Sequence, residues 1–206
     1  MNLYERYILP RLINASCSCS PVTKQRQKIV PQAEGVVLEI GFGSGLNLPH
    51  YDAAKLRKLY ALEPARGMLA RAEKAIRNAP FDVEILPEKA EAMSLAAGAV
   101  DSVVVTYSLC SIPDALAALQ GARRALRPGG RLLFCEHGLA PDEGVRRWQR
   151  RIEPAWRAIG GGCHLTRDIP GLIRAAGFTL DSVDTMYLPR SPKWASFNYW
   201  GSARPA

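Results

Sequence analysis

The stretch Val36-Val-Leu-Glu-Ile-Gly-Phe-Gly-Ser-Gly45 decides the fold of this chain. It begins with an apolar run of strand composition and then places glycines at alternate positions, namely Gly41, Gly43 and Gly45. Such glycines let the backbone turn sharply and approach a ligand, because no Cβ atom intervenes. Asn47 and Leu48 are predicted to begin the following helix, whose free N–H groups would face the same ligand. The pattern predicts a strand–loop–helix unit with a ligand at the carboxyl end of the strand.

The spacing and charge around this loop narrow the kind of ligand. A dinucleotide-binding loop requires G-x-G-x-x-G, but Leu46 occupies the position of its last glycine. A P-loop is excluded as well, because no Lys-Ser or Lys-Thr follows. Glu39 would repel a pyrophosphate and is better suited to a ligand with a cationic ammonium group. Glu63 lies 22 residues after Gly41, about where an acidic side chain accepts hydrogen bonds from ribose hydroxyls.

The chain continues as an alternation of strand-like and helix-like segments. Apolar runs predict strands at Val36–Ile40, Leu59–Leu62, Val83–Leu86, Val103–Thr106 and Leu132–Cys135. Helical composition and end signals predict helices at Arg66–Asn78, Asp114–Leu126, Val145–Ile159 and Ile169–Ala176. Repeated βα units imply a parallel sheet. Two further strands, Phe178–Thr185 and Phe197–Gly201, are joined by a loop too short for a crossover helix and are predicted to pair antiparallel.

The N-terminal segment precedes this alternation. Residues 2–14 are predicted to form an amphipathic lead-in with a break or kink at Pro10. A second helix is predicted over Thr23–Val30, capped by Thr23 and ended by Pro31. A length of 206 residues fits one domain, divided into a helical lead-in (1–31), a cofactor-binding half (32–140), and a half with substrate-side helices and the final strand pair (141–206).

Composition excludes several classes of protein. No apolar run is long enough to span a membrane and no signal-peptide pattern is present, so a cytoplasmic location is expected. Five cysteines in such a chain are expected to stay reduced. The net charge of +8 favours anionic partners but selects none of them, and its arginines on predicted helix faces are typical of a solvated surface. We expect no nucleic-acid partner and no metal site.

Two motifs resemble those of the class I S-adenosylmethionine-dependent methyltransferases. Glu39-x-Gly-x-Gly-x-Gly45 resembles their first motif, and Leu126-Arg-Pro-Gly-Gly130 resembles the motif before their fifth strand. The resemblance covers nearly the whole chain. It implies an α/β, Rossmann-like fold, in which a mostly parallel seven-stranded sheet with an antiparallel last strand carries helices on both faces. It also implies that the cofactor is S-adenosyl-L-methionine and that the product is S-adenosyl-L-homocysteine.

The resemblance also implies where the cofactor is held. The methionine part would meet Glu39, the loop glycines and Asn47, and the ribose would meet Glu63. The adenine would lie between Pro64–Met68 and the segment Lys89-Ala90-Glu91, and Thr106 would lie beneath the sulfonium. This chain has Lys89 where many members have Asp, so the backbone of Ala90 or the side chain of Glu91 would serve there instead.

Three segments after the predicted strands bear on the methyl acceptor. Residues 107–112, 136–137 and 153–168 resemble, in order and spacing, segments of the animal methyltransferase-like thiol S-methyltransferases and their bacterial relatives. The shared features are a Leu-Cys-Ser, a Glu-His, and a Pro-Ala-Trp followed by Gly-Cys-x-Leu-Thr-Arg. The resemblance implies a small thiol or hydrogen sulfide as the acceptor. Candidate substrate contacts are Tyr107, Cys110, Trp156 and Cys163, and the candidate catalytic residues are His137 first and His164 second.

Several alternatives stay open at this stage. An N-methyltransferase for a phospholipid headgroup or other small amine would suit the basic charge and the amphipathic start, and that lead-in could cover the cofactor cleft or touch a membrane surface. A non-catalytic nucleic-acid-binding module is a further alternative. Cys17-x-Cys19 would suit the methylation of a thiol-held metalloid. Each histidine and cysteine named above also has an ordinary structural interpretation, as a hydrogen-bonding or small apolar side chain.

Overall fold

The computed structural model describes residues 8–206. The helices are α1 Leu9–Cys17, α2 Ser20–Ile29, α3 Arg66–Arg77, α4 Ala115–Ala125, α5 Glu143–Ile159, α6 Ile169–Ala175 and α7 Lys193–Ser196. The strands are β1 Gly35–Ile40, β2 Leu56–Leu62, β3 Asp82–Leu86, β4 Val100–Thr106, β5 Leu126–His137, β6 Phe178–Tyr187 and β7 Phe197–Pro205. Short 3₁₀ turns lie at Val30–Gln32, Leu48–His50 and Ala90–Ala92.

The strands form one seven-stranded sheet in the order β3-β2-β1-β4-β5-β7-β6. The first five strands are parallel, and β7 runs antiparallel to both β5 and β6. This confirms the predicted parallel sheet and the antiparallel pairing of the last two segments. The strand order reverses direction between β1 and β4, which is where sheets of this kind bind ligands at the carboxyl ends of their strands.

The sheet is covered on both faces, and its central strands are largely apolar. Every residue of β4 is buried. Val103 and Val105 pack with α4 and α6 on one face, whereas Val104 packs with α3 and the end of α2 on the other. Burial on both faces is typical of parallel strands, and the near-continuous apolar run of β4 reflects it.

Register places the functional strand ends side by side. Ile40 of β1 pairs with Leu62 of β2 and with Val105 of β4. Thr106 pairs with Cys135 of β5. The residues that follow these pairs, Gly41, Glu63, Tyr107 and Glu136, therefore lie along one edge of the sheet.

Two local predictions were wrong. The helix predicted to begin at Asn47 and Leu48 is a single 3₁₀ turn, Leu48–His50. The helix predicted at Thr23 begins at Ser20, with Cys19 as its N-cap. Pro10 lies in the first turn of α1, where a missing N–H costs no helical hydrogen bond, and the break or kink predicted there stays a prediction because the preceding residues lie outside the described ones.

The remaining N-terminal prediction covers a longer segment than the structure describes. Residues 2–7 of the predicted lead-in lie outside the described residues. Among residues 8–206, no helix is long and apolar enough to cross a membrane.

Candidate active site

The glycine loop between β1 and the Leu48–His50 turn takes a backbone path that only glycine adopts readily. Gly41 and Gly43 have φ angles of +72° and +60°. A Cβ atom on Gly41 would lie 2.1 Å from Oγ of Ser108, so the loop packs directly against the residues after β4. A Cβ atom on Gly43 would meet nothing nearer than Cε of Met68 at 3.4 Å. Gly43 therefore faces space that a ligand can approach closely.

Glu63, which follows β2, is hydrogen-bonded to this loop, and its predicted contact with a ribose stays a prediction. Its Oε2 accepts a hydrogen bond from the backbone N–H of Gly43 at 2.9 Å, and its Oε1 accepts one from Ala65 at 2.9 Å. Burial raises the pKa of the carboxyl group, against the effect of both hydrogen bonds. The acidic side chain and the glycine loop therefore form one unit beside β1.

Glu39 lies deeper than the loop and binds within the protein. Its Oε1 accepts a hydrogen bond from Nδ2 of Asn47 at 2.9 Å, and its Oε2 accepts one from the hydroxyl of Tyr51 at 2.7 Å. The side chain is 2% exposed, and burial raises its pKa to about 7. Its role here is to hold Asn47 and Tyr51 under the loop, and its predicted contact with the methionine part of a cofactor stays a prediction.

Arg26 of α2 is a buried cation that the sequence analysis missed. It is 5% exposed, and its Nη1 donates to Oδ1 of Asn47 at 2.8 Å and to Oγ1 of Thr106 at 2.5 Å. The guanidinium lies over the Tyr107 ring, 5.1 Å from the centroid. Its Nε is buried and has no hydrogen-bond partner among the described residues. The only signal in the sequence is a polar, basic helix, and such a helix is typical of a solvated surface.

A cavity of about 60 Å³ lies between the glycine loop, Arg26 and the residues after β4. Helix α1 closes it, contributing Ile13, Asn14 and Cys17 to the lining. Oγ of Ser44 donates a hydrogen bond to Oδ1 of Asn14 at 2.6 Å, which ties α1 to the loop. Ligand pockets usually enclose about 300–1,000 Å³, so the cavity as described is smaller than a nucleotide-sized ligand needs.

The cavity unites some of the predicted cofactor residues but not all of them. Gly41, Gly43 and Thr106 line it. Pro64 and Lys89 are exposed, Ala90 is buried in the core, and Glu91 lies in the 3₁₀ turn, all outside the lining. A larger surface groove of about 410 Å³ between α4 and α6 contains none of the predicted residues. We place the site at the smaller cavity because the glycine loop lines it.

The segment after β4 lines the cavity through Tyr107 and Ser108 and then leads to the residues predicted to contact the methyl acceptor. Tyr107 has a φ angle of +52°, a conformation that costs a non-glycine residue about 1 kcal/mol or more. Its hydroxyl donates to Oδ1 of Asn198 at 2.6 Å. Oε1 of the buried Glu136 accepts hydrogen bonds from the backbone N–H groups of Ser108 and Leu109, at 2.7 and 3.0 Å. Glu136 therefore fixes the bend that directs Cys110 away from the sheet.

Beyond this bend, four predicted acceptor-side residues come together. Nε2 of His137 lies 3.1 Å from Sγ of Cys163, and Nε1 of Trp156 donates to that sulfur at 3.3 Å. The two sulfur atoms of Cys110 and Cys163 and a ring nitrogen of His137 all lie within 4.8 Å of one another. A hydrogen bond with Cys110 and burial raise the pKa of the Cys163 thiol. The group therefore places two cysteine sulfurs beside an imidazole ring.

His164 does not join this group through its ring. Its Nδ1 lies 3.0 Å from Oε1 of Glu153 in α5, and Oε2 of Glu153 accepts hydrogen bonds from the backbone of Leu165 and Thr166. The backbone N–H of His164 donates to the carbonyl oxygen of Cys110 at 2.8 Å. His164 is thus placed to hold the 160–168 loop on α5, and a catalytic role for it stays a prediction.

Comparisons with known proteins agree with this geometry. A family model described as a methyltransferase domain matches residues 38–134. Thiol S-methyltransferase TMT1B of Rattus norvegicus is 33% identical over 165 residues, which cover 78% of this chain and 66% of that protein. Thiol S-methyltransferase TMT1B of Homo sapiens is 35% identical over 136 residues, which cover 64% of this chain and 55% of that protein. The chain thus spans less than two thirds of the length of these curated relatives.

Solved structures show the same architecture. A S-adenosylmethionine-dependent methyltransferase from Methanosarcina mazei superposes with a TM-score of 0.67, covering 84% of this chain and 93% of that one, at 18% sequence identity. Identity at this level shows the shared fold.

Proposed function

Because this chain belongs to the class I S-adenosylmethionine-dependent methyltransferases, we propose that it transfers the methyl group of S-adenosylmethionine to the sulfur of a small thiol or of hydrogen sulfide. The observation that carries the proposal is the group formed by Cys110, His137, Cys163 and Trp156. It lies beside residues 107–108, which line the cofactor cavity. The sequence similarity to proteins named thiol S-methyltransferases supports the same acceptor.

The residues around the cavity fit S-adenosylmethionine. The cofactor carries a carboxylate, an ammonium group and a ribose, and the cavity lining offers a buried guanidinium whose Nε is without a partner among the described residues. We propose that Arg26 holds the carboxylate and that Glu63 accepts hydrogen bonds from the ribose hydroxyls. The open side of Gly43 leaves room for close contact, since no protein atom lies within 3.4 Å of where its Cβ would be.

The chain's own contribution to catalysis is chiefly positioning. The bound cofactor supplies a methyl group already activated by a positive sulfur, so an acceptor held in line with the bond to that methyl needs little further chemistry. Tyr107 and Ser108 separate the cofactor cavity from the acceptor group, and Glu136 fixes their backbone. Helix α1 covers the cavity through Ile13, Asn14 and Cys17.

A thiol suits this acceptor group better than an amine or an alcohol does. The group presents two sulfurs, an imidazole and an indole, and this surface is soft and largely apolar. A free thiol has a pKa near 8.5 and needs only modest help to become the nucleophilic thiolate. An alcohol would need a strong base, and an ammonium substrate would need a counter-charge to bind and a base to deprotonate it.

The test is a matched panel of acceptors. The purified chain is incubated with S-adenosylmethionine and 1-butanethiol, 1-butanol or butylamine, and both S-adenosylhomocysteine and the methylated product are measured. We expect turnover with the thiol alone and its loss in His137→Ala, with S-adenosylhomocysteine affinity near that of the wild type. Turnover of the amine or alcohol without turnover of the thiol would overturn the assignment.

A second candidate is an N-methyltransferase for a lipid headgroup amine, because α5 has an exposed basic and aromatic face. Trp148 is 58% exposed, and the guanidinium of Arg151 lies 5.8 Å from its ring centroid. Such a face suits the surface of an anionic bilayer. Co-sedimentation with anionic liposomes, followed by analysis for methylated headgroups, separates the two candidates: lipid methylation without thiol turnover would favour the amine.

A further inference from the structure

Cys110, His137 and Cys163 come from three separate parts of the chain and meet at one point. Cys110 follows β4, His137 ends β5, and Cys163 lies in the loop between α5 and α6. Their two sulfur atoms and one ring nitrogen all lie within 4.8 Å of one another. The hydrogen bond from His164 N–H to the Cys110 carbonyl oxygen ties two of these segments together. The convergence is therefore fixed by the fold and not by flexible surface side chains.

The donor set selects a particular kind of cation. When the ion binds, the Cys110 and Cys163 side chains release their protons to solvent. Two thiolates and an imidazole are soft to borderline ligands, which favour Zn²⁺ and other d¹⁰ ions over Mg²⁺ or Ca²⁺. The neighbouring carboxylate of Glu136 uses its Oε1 for two backbone N–H groups, and its Oε2 is buried without a hydrogen-bond partner among the described residues. Three protein ligands are one fewer than a closed tetrahedral site has, and zinc sites with three protein ligands keep a position open for substrate.

The surroundings also suit a metal thiolate. Cys110 is buried and Cys163 is half-buried, so water has limited access to the sulfurs. The indole Nε1–H of Trp156 donates to Sγ of Cys163 at 3.3 Å. Donors of this kind orient metal ligands and tune them. The guanidinium of Arg167, whose Nη1 donates to the carbonyl oxygen of Leu109, places a positive charge near the two thiols.

We propose that Cys110, His137 and Cys163 bind one Zn²⁺ or similar soft ion whose fourth coordination position takes the acceptor thiol. The identity of that fourth ligand rests on the proposed function, whereas binding of the ion does not.

Methyl transfer at such a site needs no reactant other than the cofactor and the acceptor thiol. The acceptor thiol loses its proton to solvent when its sulfur binds the ion. The thiolate sulfur then forms the new bond to the methyl carbon, and the electron pair of the broken bond stays on the cofactor sulfur. The thioether product is neutral and a weaker ligand, so it leaves the ion. With the ion bound, His137 acts as a ligand that holds the ion in place.

Cobalt binding tests the site directly. The purified full chain, kept reduced with a phosphine, is titrated with Co²⁺, and Zn²⁺ affinity is measured by competition with a chromophoric chelator. We expect one ion per chain, with the visible bands of tetrahedral Co²⁺ and a thiolate-to-cobalt charge-transfer band. Cys163→Ser and His137→Gln should each lower the affinity by at least about tenfold, and Cys19→Ser, which changes an exposed cysteine outside the group, should not.

Cys110 is buried, so Cys110→Ser is used only if circular dichroism and S-adenosylhomocysteine binding match those of the wild type. The half-buried Cys163 provides the second variant. Absence of stoichiometric Co²⁺ and Zn²⁺ binding by the wild type, or wild-type affinity in Cys163→Ser, would overturn the proposal.

Adding acceptors to the cobalt-loaded chain tests the fourth position. Butanethiol should shift the visible bands, and butanol should leave them unchanged. Thiol turnover by a chain that binds no metal would refute the proposed metal site and would still support the proposed function. Stoichiometric metal binding without turnover of any thiol would support the metal site and refute a thiol as the methyl acceptor.

Discussion

Ionisation of the buried Glu39 should make this protein less stable as the pH rises. Burial, partly offset by the hydrogen bonds from Tyr51 and Asn47 and by Arg26, raises the pKa of Glu39 from 4.5 to about 7. The unfolded chain therefore ionises this group at a lower pH than the folded chain does. The favourable contribution to folding is complete below the unfolded pKa and is lost as the pH rises through the folded pKa.

Glu39→Gln isolates this effect, because glutamine has the shape of the neutral acid. It can still accept from Asn47, and its amide can donate to the Tyr51 hydroxyl once that hydrogen turns away. The pKa of this group is 4.5 in the unfolded chain and about 7 in the folded chain. This difference lowers the free energy of unfolding of the wild type by about 2.5 kcal/mol between pH 5 and pH 8. Relative to the wild type, the free energy of unfolding of Glu39→Gln should therefore increase by about that amount between pH 5 and pH 8.

Urea unfolding at a series of pH values measures the difference, and other titrating groups cancel because both proteins contain them. Glu143→Gln, which replaces an exposed carboxylate, is the matched control and should follow the wild-type curve. If the difference between Glu39→Gln and wild type is the same at pH 5 and pH 8, folding does not raise the pKa of Glu39, and the expected loss of stability is refuted.

Three further substitutions probe the cavity and its support. Gly43→Val should weaken S-adenosylhomocysteine binding in calorimetry by at least about tenfold and cost about 1–2 kcal/mol in stability, with Gly144→Ala in α5, whose Cβ meets nothing within 4 Å, as the control that keeps wild-type affinity; unchanged affinity in Gly43→Val would reject the loop assignment. Arg26→Met should weaken S-adenosylhomocysteine but not 5′-methylthioadenosine, which lacks the carboxylate, and equal losses would contradict the assigned contact. Glu153→Gln should speed amide hydrogen exchange at Leu165 and Thr166 and lower turnover, with cofactor affinity near that of the wild type; unchanged exchange would remove Glu153 as the anchor of that loop.

The sheet was predictable because its signal is local and repeated. The β1 stretch and its glycines specify a strand and a turn within ten residues, and each apolar run after it repeats the same kind of signal. The short loop before β7 likewise predicted the antiparallel pairing, because a parallel partner needs a crossover.

The parts that sequence reasoning missed depend on contacts between distant residues. Arg26 donates a hydrogen bond to Thr106, which lies 80 positions away in the sequence. The periodicity of the helix that contains Arg26 does not predict this contact. The helix predicted after the glycine loop is reduced to one turn, where the side chain of Asn47 binds Glu39 and Arg26 instead of capping a helix. His164 was predicted by its position near the strand ends, but the carboxylate that holds its ring lies on α5.

The group formed by Cys110, His137, Cys163 and Trp156 was predictable only in part. His137 and Cys110 follow predicted strands, so their meeting at the carboxyl edge of the sheet could be expected from topology. The arrival of Cys163 within 3.1 Å of the His137 ring depends on the path of the 160–168 loop. That path is set by Glu153 and by the bond between His164 and Cys110, and neither follows from local sequence.

The central claim is that the methyl group goes to a thiol sulfur. The most direct measurement incubates the purified chain with S-adenosylmethionine carrying an isotopically labelled methyl group and an equimolar mixture of butanethiol, butanol and butylamine. The products are then identified by mass spectrometry. The account predicts labelled butyl methyl thioether as the product, and its absence with His137→Ala. Label in the methylamine or methyl ether, with none in the thioether, would contradict it.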